Sequence, residues 1–190
     1  FLFLRMCTFD AKVQKTMQTT QRFIIPVFLL FSLALPVALT AQENINRTDE
    51  NGLRQGVWKK TDDKGSLVYE GAFSDNQPTG IFTYYYPNGM KKAILSYHND
   101  APETADAITF HPNGKKMAEG TYQSKQRTGL WRFYNEEELL VSEEHYKNGK
   151  HHGRATVYFP DGETVSEVCD YENGEKEGSW KQYFTDQTLK

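Results

Sequence analysis

The sequence predicts an all-β protein: an elongated, single, twisted antiparallel sheet of stacked β-hairpin repeats of about 24 residues each. One observation behind this prediction is a glycine that recurs at this spacing, and another is a set of aromatic residues at fixed distances after it. The third is composition: aromatic residues make up 14% of a chain that is only 38% hydrophobic. That balance suits rings packed on a pleated surface better than a thick aliphatic core.

The period is set by one position, here called the glycine slot. Its glycines are separated by 24, 49, 24 and 25 residues, and the interval of 49 is two periods with Ala105 in the missing slot. The glycines are Gly56, Gly80, Gly129, Gly153 and Gly178. The slot divides the predicted repeat domain, residues 51–190, into units 56–79, 80–104, 105–128, 129–152, 153–177 and a partial unit 178–190.

Further columns keep the same register as the slot. Two residues after it stand Trp58, Phe82, Ala107, Trp131, Ala155 and Trp180. Five residues after it stand Thr61, Tyr85, Phe110, Tyr134, Tyr158 and Tyr183. Nine residues after it stand Gly65, Gly89, Gly114, Glu138, Gly162 and Gln187. Late in each full unit comes one more ring, at Phe73, Tyr97, Tyr122, Tyr146 and Tyr171. This agreement over successive units indicates a repeat architecture.

Each unit has the elements of a β-hairpin in order. A short aromatic strand such as "LWRFY" (130–134) comes first. A turn follows, as in "YPNG" (86–89), "HPNG" (111–114) and "FPDG" (159–162), where proline presets φ and glycine takes the left-handed position. This pattern is typical of a type I turn that closes a hairpin through a glycine bulge. A second strand such as "KKMAEGTY" (115–122) completes the unit.

The connections between units are predicted to be short turns bounded by glycine. "NGLRQG" (51–56), "NGKHHG" (148–153) and "NGEKEG" (173–178) are the same segment of different units, and only their middle residues vary. We therefore expect His151 and His152 to occupy exposed turn tips. A metal site would need further ligands at fixed geometry, so no metal or other cofactor is predicted.

A single hairpin cannot bury its rings, so stability is expected to come from stacking between units. Trp131, in the middle of the array, is expected to matter most. The third unit is expected to be the weakest and to fray, because "NDAPETADA" (99–107) replaces the short turn and alanine replaces both the glycine and the ring. The sequence stops at Lys190, where the second strand of the partial unit would begin. We expect either that it is a fragment of a longer chain or that the last strand is an uncapped sheet edge, which would favour aggregation.

The N-terminal segment differs from the rest of the chain. Residues 17–41 have the pattern of a signal peptide: Arg22, an apolar run from Phe23 to Leu39, and a small residue, Ala41, at the cut site. Prolines interrupt the run, which makes a retained membrane anchor the less favoured alternative. Residues 1–16 have no signal character and are interpreted as an upstream leader, and residues 42–50 as a flexible lead-in. The mature protein is thus predicted to be exported to the periplasm, the cell surface or the medium.

Charge and cysteine content restrict the partners. Four of the 22 basic residues and one of the 25 acidic residues precede residue 42, so the remainder carries a net charge of −6. An acidic exported domain is a poor candidate for nucleic acid or for anionic membranes, and contact with a membrane is expected only during export. Cys169 is the one cysteine after the predicted cut site and is expected to be a buried strand residue.

With these columns in view, the chain resembles MORN-type repeats, specifically the bacterial MORN-variant repeats. Their units are similar to G-x-W-x-x-Y-x-x-x-G followed by a late Tyr and N-G-x-x-x-G, as in "GLWRFYNEEE" (129–138) with Tyr146, and in "GSWKQYF" (178–184). The resemblance covers roughly residues 51–190. It implies a non-enzymatic protein that binds another protein, because such chains are commonly described as antitoxins of the YwqK family, the partner being a toxin. Export would shift that role to immunity outside the cytoplasm.

The favoured function is therefore an exported protein–protein interaction scaffold. The candidate contact residues are Tyr84, Tyr86, His151, His152, Arg132, Lys181 and Gln182. The alternative is a cell-wall or glycan-binding module, although Ala107 and Ala155 interrupt the tryptophan column that a periodic aromatic cage would need. An enzyme is not predicted, since the sequence offers no catalytic residues, no nucleophile-elbow context and no loop long enough to build a pocket.

Overall fold

The computed structural model describes residues 44–190, which form one twelve-stranded antiparallel sheet. Every strand pairs with its neighbours in the chain, so the strand order in the sheet is the order in the sequence. The predicted fold class, an all-β sheet of stacked hairpins, is confirmed. The predicted leader (1–16) and signal peptide (17–41) lie outside the described residues. Within residues 44–190 there is no helix of the length and apolarity that crossing a membrane requires.

The strands follow one another at short intervals. They are β1 Arg47–Thr48, β2 Arg54–Thr61, β3 Leu67–Ser74, β4 Gln77–Tyr85, β5 Lys91–Tyr97, β6 Thr104–Phe110, β7 Lys116–Gln123, β8 Gln126–Tyr134, β9 Leu140–Lys147, β10 Lys150–Tyr158, β11 Val165–Glu172 and β12 Glu175–Gln182. β1 comes from the segment predicted as a flexible lead-in, and it pairs with β2.

The turns inside the units have the predicted form. In the second unit the N–H of Gly89 donates to the carbonyl oxygen of Tyr86 (2.9 Å), and the N–H of Tyr86 donates to the carbonyl oxygen of Met90 (2.8 Å). Gly89 has φ +82°, the left-handed conformation that glycine adopts without steric cost. Proline and glycine therefore specify this turn as the sequence indicates.

The connections between units are tighter than predicted. Most are two-residue turns in which both residues have positive φ, as at Asn148 (51°) and Gly149 (77°), the signature of a type I′ hairpin turn. Only the first two residues of "NGKHHG" belong to the turn, and β10 begins at Lys150. The prediction that His151 and His152 occupy turn tips is wrong, because a type I′ turn reverses the chain with two residues and returns the next ones to the sheet.

The glycine slot lies inside a strand and produces a bulge. Gly129 has φ +67°, and the pairing of β7 with β8 shifts register beside it, between Glu119 and Thr121. Ala105 does not carry such a conformation, and β5 pairs with β6 without a register shift. A six-residue loop, 98–103, replaces the two-residue turn here. β6 is a complete strand in which Ala105 and Ala107 are buried, and the fraying of this unit stays a prediction.

The buried side chains of residues 44–190 all lie on one face of the sheet, here called the ring face. Register places Trp131, Glu144, Ala155 and Cys169 side by side on this face. The buried residues are Phe73, Phe82, Ala105, Ala107, Ala118, Trp131, Ser142, Tyr146, Ala155 and Cys169. Since the structure is a single layer, its core forms by side chains packing across their own face. The predicted burial of Cys169 is confirmed.

Rings from neighbouring units fill the gap that alanine leaves in the aromatic column. Ala107 pairs with Gly120, and the indole ring of Trp131 lies against Gly120 from the next strand. Ala107, Ala118, Trp131 and Tyr146 form one buried cluster. At this point the column therefore takes a ring from another unit.

Candidate binding groove

A groove of about 830 Å³ opens on the ring face above β5 and β6. Its floor is formed by small or aliphatic side chains: Ala93 and Leu95 on β5, and Ala105 and Thr109 on β6. Register explains this floor, because Ala93 pairs with Thr109 and Thr109 with Ala118. This row of short side chains ends at Tyr84 on one side and at Phe133 on the other. The ring face is thus hollow where β5 and β6 carry short side chains.

The walls of the groove are aromatic. Tyr84 on β4, Tyr97 on β5 and Tyr122 on β7 contribute rings, and Pro78 and Pro102 add apolar surface. We call this feature the tyrosine groove. It continues into a second hollow of about 460 Å³ that shares Tyr84 and Tyr97 and is also lined by Arg54, Tyr69, Phe73 and Phe82.

The groove exists because the third unit departs from the repeat. Ala105 stands where every other unit carries a glycine, and Ala107 stands where all other units except the fifth carry a ring. The longer loop brings Pro102 and Glu103 to the wall, and it is held there because the N–H of Ser124 donates to the carbonyl oxygen of Glu103 (2.8 Å). These departures from the repeat therefore shape the groove.

The tyrosine hydroxyls in the groove are available to a ligand. Within residues 44–190, neither Tyr84 nor Tyr97 donates its hydroxyl to another protein group, whereas Tyr85 on the opposite face donates to Glu70 (2.5 Å). Burial raises the pKa of Tyr84 and of Tyr97 above the ordinary 10.0. Both hydroxyls are accordingly neutral at physiological pH and can donate or accept a hydrogen bond.

Basic groups border the groove. Lys92 and Lys125 line the main hollow, and Arg54 and Lys125 line the second one. Glu103 is the one carboxylate among the residues that line either hollow. The groove is therefore locally positive although the chain beyond residue 41 is acidic.

His151 belongs to a different cluster on the ring face. Its ring lies between those of Tyr146 and Tyr171, with centroid distances of 4.6 and 4.9 Å. Its Nε2 is 2.9 Å from a carboxylate oxygen of Glu144 and 2.8 Å from the hydroxyl of Tyr146. These contacts make His151 a half-buried packing residue. His152 points to the other face, where its Nδ1 is 3.3 Å from Glu172.

Glu144 is held in its charged form within this cluster. Burial raises its pKa, but hydrogen bonds donated by the hydroxyls of Tyr146 (2.5 Å) and Ser142 (2.9 Å), together with the contact from His151, outweigh burial and lower the pKa below the ordinary 4.5. The same carboxylate and burial raise the pKa of Tyr146 to about 12. No group of three or more His, Cys, Asp or Glu side chains in residues 44–190 is placed to hold a metal ion.

The Glu144→Gln variant should lose part of the acid sensitivity of the fold. A carboxyl whose pKa is lower in the folded state stabilises the protein above its unfolded pKa, and this contribution disappears as the pH falls through the folded value. We expect the unfolding free energy of the native chain to fall below about pH 4.5 and that of the variant to fall less steeply. Urea unfolding across this range measures the difference. Glu136→Gln, at an exposed turn residue, is the control, and equal slopes in all proteins would contradict the assignment.

The candidate contact residues separate into two groups. Tyr84 lines the groove. The others serve the fold or lie elsewhere: Tyr86 donates its hydroxyl to the carbonyl oxygen of Phe110 (2.7 Å), Arg132 pairs with Glu143 (2.8 Å), Gln182 donates to Glu167 (3.1 Å), and Lys181 is exposed on β12. Sequence reasoning missed Tyr97 and Tyr122 as groove residues because they belong to the column of late rings. The signal that could have found them was the loss of large side chains in the third unit.

Comparisons with known proteins give one family match. Residues 78–99 and 104–124, two adjacent repeats that include β4 to β7 in large part, match the MORN repeat variant family. A search of curated proteins finds no match to the chain.

Comparison with solved structures adds only weak likenesses. The crystal structure of TarM is 11% identical over 52% of this chain and 19% of that chain, with a TM-score of 0.37. An S. aureus TarM mutant in complex with fondaparinux, α-GlcNAc-glycerol and UDP is 10% identical over 64% of this chain and 21% of that chain, with a TM-score of 0.38. The chain thus spans about a fifth of the length of these structures, and likeness at this level carries nothing about its role.

Proposed function

We propose that this chain is a non-enzymatic repeat scaffold that binds a segment of another protein in the tyrosine groove. One observation carries the proposal: where the repeat departs from its own pattern, the ring face opens into a cavity walled by tyrosines, and the hydroxyls of Tyr84 and Tyr97 donate to no other group of the described residues. A match to a repeat family accords with a binding role, since repeat proteins expose extended surfaces of this kind.

The lining of the groove favours a polypeptide over a sugar. Leu95, Ala93 and Ala105 give the floor an apolar character, and Pro78 and Pro102 extend it along the walls. Ligand sites of this type combine apolar and aromatic lining with a few polar groups, which here are the tyrosine hydroxyls. A saccharide, by contrast, would leave many hydroxyl groups without partners over such a floor.

The place of action follows from the predicted signal peptide, residues 17–41. With export, the partner meets the chain outside the cytoplasm, and an immunity role against an exported toxin is the specific form that the MORN-variant resemblance suggests. In the glycan-binding alternative, the same groove would bind a saccharide of the cell wall. Both versions locate binding on the ring face.

Site-specific photocrosslinking tests the proposal. A benzoylphenylalanine placed at Tyr84 is expected to crosslink a polypeptide of discrete mass when cells are irradiated, because this ring faces the groove. The same group at Thr156, on the opposite face of β10, is the matched control and is expected to give no such product. Retention on purified peptidoglycan without any polypeptide crosslink, or crosslinks from Thr156 alone, would overturn the proposal.

Filling the groove should abolish binding without changing the rings. Thr109 lies on the floor between Ala93 and Ala118, so Thr109→Tyr places a new ring inside the cavity. We expect the Tyr84 crosslink to be lost in this variant and kept in Thr156→Tyr. Circular dichroism checks that both variants retain the sheet.

A further inference from the structure

We infer that the occupant of the tyrosine groove is an extended acidic segment with an apolar centre. This inference rests on the proposed function and specifies the chemistry of the partner. It starts from the positive border of the groove, formed by Arg54, Lys92 and Lys125, against the single carboxylate of Glu103.

The three basic groups of the groove are not paired with a carboxylate of the described sheet, as is true of most other lysines and arginines in residues 44–190. Several lysines and arginines elsewhere lie within 4.0 Å of a carboxylate: Lys59, Lys116, Arg132, Arg154 and Lys176. Within residues 44–190, Arg54, Lys92 and Lys125 have no carboxylate at that distance. No ion pair of the described sheet therefore competes with a ligand for these charges, and the Nζ of Lys92 lies 5.8 Å from the ring centroid of Tyr86.

Arg54 is also fixed in place. Its guanidinium lies 3.7 Å from the ring centroid of Phe73, and its Nε donates to the side-chain oxygen of Asn76 (3.1 Å). A stacked guanidinium keeps its remaining N–H donors in one plane, the arrangement that suits a carboxylate. The arginine thus offers an oriented contact at the edge of the second hollow.

Lys125 occupies a backbone position that does not favour lysine. Its φ is +66° in the turn between β7 and β8, where the equivalent residues of other turns are Asn76, Gly149 and Gly174. Asparagine and glycine adopt this conformation readily, whereas a long side chain pays a steric cost. Such residues cluster at binding sites, where the side chain serves a purpose other than the turn.

The positions of the lysines set the length of the occupant. Lys92 lies near the start of β5, and Tyr97 is the last residue of that strand. Tyr97 is level with Tyr122 on β7, because each of them pairs with Ala105. Lys125 follows Tyr122 in the turn after β7, so it lies beyond the end of β5. At 3.3 Å per strand residue the groove between them is roughly 17 Å long. An extended segment of about six residues spans this length. Carboxylates at its two ends would reach the lysines while its centre lies on Leu95.

Selection from a display library of random peptides of about twelve residues, roughly twice the length of the groove, tests the inference. We expect the purified protein to enrich peptides with Asp or Glu on both sides of apolar residues. A synthetic copy of the most enriched peptide should bind about tenfold more weakly to the Lys92→Glu, Lys125→Glu double variant. Binding to Lys64→Glu, at an exposed turn, should not change, and the Lys92→Arg, Lys125→Arg variant should retain affinity.

The outcomes separate this inference from the proposed function. Enrichment of neutral or basic peptides whose binding is lost in Thr109→Tyr would overturn the acidic occupant and leave the groove as a peptide site. Enrichment of no peptide, with binding of purified peptidoglycan instead, would overturn both. Replacing the carboxylates of the selected peptide by amides should weaken binding to a similar extent, and an unchanged affinity would count against the inference.

Discussion

Replacing Trp131 by alanine is expected to lower the free energy of unfolding by about 3–5 kcal/mol. The side chain is only 1% exposed and is the largest fully buried one in the described sheet. Its ring meets Tyr122 edge-on at 4.9 Å and stacks near Phe133 at 6.2 Å. Truncation removes these contacts and leaves a cavity that a single-layer sheet can close only by moving neighbouring strands.

The polar edge of the indole adds to this loss. Its Nε1 donates to the carbonyl oxygen of Thr121 at 3.1 Å, and the guanidinium of Arg127 lies 4.8 Å from the ring centroid. Without the ring, the partly buried carbonyl oxygen loses a partner and the arginine loses its cation–π contact.

Denaturant unfolding measures the effect, and Trp180→Ala provides the matched control. Trp180 occupies the same column of the repeat but is 58% exposed, so we expect its truncation to cost less than about 1 kcal/mol. If both variants lost the same free energy of unfolding, the position of a tryptophan in the repeat, and not its burial, would determine its contribution to stability.

Much of this fold could be predicted from the sequence because the repeat constrains it locally. A glycine at φ +82° after a Pro-Asn pair specifies a turn by itself, and a ring two residues after the glycine slot marks the face that is buried. The central role of Trp131 follows from the same columns. These features depend on residues close in sequence, and the structure confirms them.

What could not be predicted depends on contacts between units. The Asn-Gly pair of "NGKHHG" is a local signal of a two-residue turn, but the packing of His151 between Tyr146 and Tyr171 depends on strands of different units and was missed. In the same way, Ala107 indicates a missing ring, but it does not indicate that the ring of Trp131, on another strand, covers the gap. Nor does it indicate that Ala93 and Ala105 leave a groove open beside it. The direction in which a ring leans depends on the free space beside it in the folded sheet. The repeat pattern of the sequence does not contain that information.

Substitution of Gly120 tests whether the ring of Trp131 occupies the space above this glycine. A Cβ built on this residue would lie 2.4 Å from the ring of Trp131, closer than nonbonded carbon atoms approach, so the ring or the strand must move. We expect Gly120→Ala to destabilise the protein by about 1–3 kcal/mol through overpacking. The backbone is not the reason, since the φ of Gly120 lies outside the positive range.

A double-mutant cycle with Trp131→Ala isolates the cause. In that background the ring is gone, and alanine at residue 120 is expected to be neutral or to stabilise the protein by up to about 1 kcal/mol, because it restricts the unfolded chain more than glycine does. The sign of the effect should therefore reverse between the two backgrounds. Gly71→Ala is a parallel case, since its Cβ would lie 2.5 Å from the ring of Phe82. If Gly120→Ala costs the same with and without the indole, the ring does not occupy the space above the glycine, and the packing of Ala107 under Trp131 must be wrong as well.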